Sequence, residues 1–141
     1  MSTAPSRPAA IALDRHLFLP LSDIIEPTEG HVLPGEGHVR RLLHFAYSWD
    51  RAAPMLIHCF AGVSRSTAAA FISACALNPE REESEIARAI RAASPTATPN
   101  ARLVALADII LVRRGRMNAA IAAIGRGEAC MEGVPFSLPV A

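Results

Sequence analysis

The chain has 141 residues, enough for one domain that buries about two-thirds of its unfolded surface and too few for two. Hydrophobic residues make up 51%, but 27 of them are alanine and only seven are aromatic, which supports a helix-rich globular core and excludes a disordered tail or a disulfide knot. The net charge is +1 and all fourteen cations are arginine, so bulk electrostatics give no support to a nucleic-acid or membrane-surface role and lysine chemistry is ruled out.

Taken in chain order, residues 1–12 are small, polar and proline-containing and read as a flexible leader. A single domain is expected over 13–136 and a tail over 137–141. His16–Leu21 (HLFLPL) reads as a short strand that Pro20 confines to an edge or an end. Ser22–Gly37, with two Pro and three Gly, is a long loop of the kind that commonly carries function. From His38 to Arg51, the positions Val39, Leu42, Leu43, Ala46 and Trp49 share one helical face. Met55-Leu56-Ile57-His58 is a continuous apolar run, expected as a central parallel strand. Cys59–Ser66 follows, then an alanine-rich helix to about Leu77, broken by Asn78-Pro79. Glu82–Ala93 reads as a further helix with Ser84 as its cap, and Ile86, Ala89, Ile90 and Ala93 form its buried stripe. Leu103, Leu106, Ala107, Ile110 and Leu111 give the next helix its face, and Asn118–Ile124 forms a last short one. The alternation predicts an α/β fold: a short central parallel sheet with helices packed around it and a C-terminal helical cluster.

Chemistry concentrates at Cys59–Arg65. A seven-residue loop between a strand and a helix turns successive backbone N–H groups inward and places the positive end of the helix dipole at its centre. Such a cup suits a tetrahedral dianion. Gly62 permits the backbone angles of a tight cradle, and Arg65 supplies a planar fork for two phosphate oxygens. The same influences favour the Cys59 thiolate. A free cysteine has a pKa of ~8.5, which falls to ~3.5–7.5 in settings of this kind. Ser66 can donate its hydroxyl to the sulfur, and His58 is expected to shape the cup through a hydrogen bond without acting as a base.

The string His58-Cys59-x5-Arg65-Ser66, with Gly62 inside it, resembles the signature of the cysteine-dependent protein tyrosine phosphatases. From His16 to about Phe136 the chain is similar to small bacterial tyrosine phosphatases related to the dual-specificity group. The resemblance implies a phosphate-binding loop made of Phe60, Ala61, Gly62, Val63, Ser64 and Arg65, and a phosphocysteine intermediate on Cys59. It implies a general acid upstream of the nucleophile; Asp23, 36 residues before Cys59, matches that position, and Glu26 is the substitute. Pro99-Asn100 matches a pair whose Asn braces the catalytic loop, although capping the following helix explains Asn100 equally well. No cofactor and no metal are implied. The partner would be a phosphorylated protein or a small aryl phosphate, with phosphotyrosine favoured over a multiply phosphorylated lipid because the loop interior has no cation.

Relatives carry another strand and helix before the acid, so the sheet here is expected to lack an N-terminal strand and expose an edge. A binding module that holds phosphate without turning it over is the rival reading. Of the other thiols, Cys75 reads as a core residue or a resolving thiol, and Cys130 carries no signal. Arg113, Arg114, Arg116 and Arg126 form a basic patch, by default a solvated face. His31 and His38 lack the further ligands of a metal site. No apolar run approaches the ~18 residues of a membrane span and no signal sequence opens the chain. Three free thiols fit the reducing cytoplasm. The oligomeric state stays open.

Overall fold

The computed structural model describes residues 6–139, so a few residues of the expected leader and tail lie outside it. Five helices follow a short 3-10 turn at Leu13–Arg15: α1 (Glu36–Ser48), α2 (Arg65–Leu77), α3 (Glu83–Ala93), α4 (Ala101–Ile110) and α5 (Arg116–Ile124). α2 packs against α1, α3 and α4, while α5 lies against α3 and α4. The residues of α2 explain its central place. It is rich in Ala and Ser, and it buries Ser66, Thr67, Ala68 and every residue from Phe71 to Ala76. A helix covered on nearly all sides needs small side chains and few charges. α3 is amphipathic instead, with Ile86, Ala87 and Ile90 inward. Fully buried Val39, Phe71, Ile72, Ile86, Ile90, Val104 and Met117 bring all five helices into one core.

The expected α/β fold with a central parallel sheet is not what forms. No strand occurs among the described residues, and the architecture is helical throughout. Along Met55–Phe60, half-buried Met55, Ile57 and Cys59 alternate with exposed Leu56, His58 and Phe60. That period of two marks an extended segment lying with one face on the helices. A central parallel strand would be covered on both faces, yet Leu56 is 79% exposed. His16–Leu19 is half-buried too, and Leu19 and Leu21 pack on the core. No ladder of backbone hydrogen bonds joins it to 55–59. Helix α2 and its alanines bring α1, α3 and α4 together directly, leaving the interior no place for a sheet.

Helix ends follow side-chain chemistry. Gly35 N–H donates to His38 Nδ1 at 2.9 Å, which starts α1 before the apolar stripe does. Asn100 caps α4, its Oδ1 accepting from Leu103 N–H at 3.0 Å. Ser84 is not the cap of α3; it lies within the helix, and Glu82 holds the cap position. The buried Asp108 carboxylate starts α5 from the neighbouring helix by accepting from Gly115 and Met117 N–H, both at 2.8 Å. Beyond α5 the chain folds back, and Phe136 and Leu138 both pack on the core.

Candidate active site

Cys59 ends the extended segment and Arg65 opens α2, so the seven residues between and including them make the turn. Its bend falls at Gly62, whose φ of +70° is left-handed and costs glycine nothing. Ser66, in the first turn of α2, sets its Oγ 3.2 Å from Cys59 Sγ. From the other side Gly62 N–H donates to the sulfur at 3.3 Å. The far end of the loop is pinned twice. Thr67 Oγ1 donates to Val63 O at 2.6 Å, and Thr98 N–H reaches the same oxygen at 2.9 Å. Asn100 N–H bonds Ser64 O at 3.1 Å.

These contacts govern the thiol. Partial burial by itself pushes the Cys59 pKa up, but the Ser66 hydroxyl and the N–H groups of Ser66, Gly62 and Val63 outweigh it, and the thiol is held below its ordinary value. The physical cause is hydrogen bonding to the anion, the third of the ways an environment moves a pKa.

The expected partners converge on this loop. Ser64 Oγ donates to Asp23 Oδ1 at 2.6 Å, and Asn100 Nδ2 donates to the same oxygen at 3.0 Å and to Ile24 O at 3.1 Å. The Asn100 side chain therefore caps α4 with its oxygen and ties the Asp23–Ile24 segment with its nitrogen, and it is the backbone N–H of Asn100, not the side chain, that holds the loop at Ser64 O. Arg65 Nη1 donates to Leu21 O at 3.1 Å, tying the same segment from the helix side. The guanidinium carries five N–H donors, so this bond leaves others for a phosphoryl oxygen. Glu26 is exposed, and its backbone carbonyl accepts from Thr28 Oγ1. Ala61, Gly62, Val63 and Ser64 are half-buried, whereas Phe60 is 90% exposed at the outer edge.

Other expectations change. His58 makes no hydrogen bond to the described residues: the period-two alternation turns it outward with Leu56 and Phe60, and the cup is shaped by Thr67, Thr98 and Asn100 instead. Arg113 does not belong to a solvated patch, whereas Arg116 is exposed and reaches Glu83 from the surface. Arg113 is buried, with Nη1 2.9 Å from Glu83 Oε2 and Nη2 2.8 Å from Cys75 O, and Arg116 Nε lies 3.2 Å from Glu83 Oε2. Cys75 is fully buried at the far end of α2. It follows Ser66 by nine residues, about 14 Å along the axis, far beyond disulfide reach.

Sequence reading missed the chain after α5. Beside the loop lies a cleft of about 520 Å³ between Asp23, Ser64 and Pro99 on one side and Ile121, Arg126 and Cys130 on the other. The available signal was a pair of glycines, Gly127 and Gly133, between the last expected helix and the end of the expected domain at 136, a stretch given no element of its own. Among the described residues no helix is long and apolar enough to cross a membrane. Comparison of the chain with protein-family models, curated proteins and solved structures gives no match.

Proposed function

We propose that the protein hydrolyses a phosphate monoester, an aryl phosphate such as phosphotyrosine, through a phosphocysteine on Cys59. The observation that carries this reading is the Cys59 sulfur, held between the Ser66 hydroxyl at 3.2 Å and the Gly62 N–H at 3.3 Å at the foot of α2. It rests on the loop and not on the fold, as a functional reading should. The thiolate attacks phosphorus while Arg65 and the loop N–H groups hold the three remaining oxygens. Asp23 protonates the leaving oxygen, then accepts a proton from the water that attacks the phosphocysteine. Ser66 donates to the departing sulfur. No step calls on a metal or cofactor. Three free thiols support a cytoplasmic location, with a phosphorylated protein or a small aryl phosphate as partner.

Hydrolysis of a chromogenic aryl phosphate tests the reading. Wild type turns it over and vanadate inhibits; Cys59→Ser loses turnover but still binds vanadate. Turnover retained by Cys59→Ser overturns the assignment. One observation favours a second reading, a module that binds phosphate without hydrolysis. Asp23 Oδ1 is engaged by both Ser64 and Asn100, which holds the acid at the rim. On that reading wild type binds phosphate and shows no turnover of any aryl phosphate.

A further inference from the structure

After α5 the chain turns back at Gly125 and crosses the Cys59 loop. Two contacts fix this C-terminal strap to the α3–α4 connection: Gly127 N–H donates to Thr98 Oγ1 at 3.1 Å, and Glu128 N–H to Pro95 O at 2.9 Å. A third reaches the loop itself, where Gly133 N–H donates to Ala61 O at 2.7 Å. Gly133 sits where no side chain fits, because a Cβ there would stand 2.6 Å from Gly62 O.

Ala61 O and Gly62 N–H belong to one peptide unit, which is planar, with its carbonyl and its N–H pointing in opposite directions. Its carbonyl accepts from the strap and its N–H donates to Cys59 Sγ at 3.3 Å. The bond that follows, at the left-handed Gly62, is the softest hinge in the loop. Building on the nucleophile proposed above, we propose that Gly133 is a positioning residue: through the Ala61 carbonyl it locks the Ala61–Gly62 peptide plane with its N–H aimed at the Cys59 sulfur. Released, the plane can rotate and turn a carbonyl oxygen toward the thiolate in place of a donor. The strap is then the outer half of the nucleophile's setting. The charged and titratable groups on the elements that meet at the loop are His58 and Arg65 in its own stretch of chain, Asp23 bonded to Ser64, and Arg126, Glu128, Cys130 and Glu132 on the strap, and a substitution at Gly133 removes none of them.

The test is the pH dependence of Cys59 alkylation by iodoacetamide, followed cysteine by cysteine by mass spectrometry in the full chain. Gly133→Ala is compared with wild type and with Val134→Ala, a neighbouring exposed position that keeps the glycine N–H. Hydrogen bonds to charged groups are strong enough that losing one raises the Cys59 midpoint by about one pH unit, leaving roughly a tenth of the thiolate at acid pH. The pH profile of aryl phosphate hydrolysis moves by the same amount, which loss of folded protein alone does not produce. Gly133→Pro, which deletes the N–H donor, repeats the test should the alanine variant lose its helical circular dichroism. A midpoint unchanged by these variants, or shifted equally by Val134→Ala, overturns the role of Gly133 and leaves the nucleophile standing. A wild-type Cys59 midpoint at the ordinary ~8.5 overturns the nucleophile itself.

Discussion

Helix α2 has a cysteine near each end, and the two ends treat the thiol in opposite ways. At its N-terminal end, the loop cysteine Cys59 is partly buried yet held below its ordinary value by the Ser66 hydroxyl and three backbone N–H groups. Toward its C-terminal end, Cys75 is fully buried and burial pushes its thiol up to about 12, with Arg113 opposing only in part. The difference teaches that a nearby positive charge does not make a reactive cysteine; donors aimed at the sulfur do. Around Cys75 the guanidinium is already spent, one nitrogen on Glu83 and another on the Cys75 carbonyl. One end of the helix turns hydrogen-bond donors toward a sulfur and the other spends its polar groups on the Arg113–Glu83 pair that holds the fold together.

Variants at either end should separate these roles. The largest effect is expected from Asp23→Asn, which should slow hydrolysis of aryl phosphates with poor leaving groups by ~10²–10⁴-fold and those with good ones far less. Rates across a series of substituted phenols check this, and equal losses along the series would move the acid to Glu26. At the opposite end, Glu83→Ala strands the buried Arg113 and should cost ~3–5 kcal/mol in urea unfolding, with the Cys59 alkylation midpoint unmoved.

Glu83 also sets a pH dependence. Burial pushes its carboxyl up, but its own backbone N–H and the Arg113 and Arg116 guanidiniums hold it below the ordinary 4.5. A folded-state value below the unfolded one means that the stabilisation is complete above about 4.5 and lost as the pH falls through the folded value. Unfolding of wild type should therefore steepen below that pH relative to Glu83→Gln. A parallel pair of acid curves would show that the pair contributes nothing to acid stability.

Smaller effects sharpen the contrast. Ser66→Ala should raise the Cys59 midpoint by about one pH unit, read by iodoacetamide alkylation. Cys75→Ala should change nothing at the loop. In native wild type Cys59 and Cys130 should alkylate and Cys75 should not, and peroxide should inactivate wild type and Cys75→Ala equally. A Cys75 disulfide recovered after peroxide would refute the separation of the two ends.

The helices were legible because their signals are periodic and local. The stripe of Val39, Leu42, Leu43 and Ala46 is buried on α1, and Ile86 and Ile90 on α3, at the spacing the residues announce. The sheet was misread because an apolar run does not say how many of its faces are covered. Met55–Ile57 is as hydrophobic as a central strand, and only the packing of α2 against its neighbours leaves Leu56 in solvent. Arg113 was misread for a similar reason: its partner Glu83 lies 30 residues away, on another helix. The cup at Cys59–Arg65 was legible from its own residues, while Asp23 and Asn100 were drawn into the reading only by a family resemblance. Their meeting 77 residues apart at one carboxylate oxygen is visible only in three dimensions.

By itself, then, the sequence determined the five helices, the glycine bend and the cysteine at the mouth of α2, because backbone propensity and apolar spacing act over a few residues. The tertiary structure alone decided that no sheet forms among the described residues, that Arg113 is interior, and that residues 125–133 cross the loop as a strap. It also decided the fate of each thiol, since a pKa follows from burial and from the donors that distant segments bring to the sulfur.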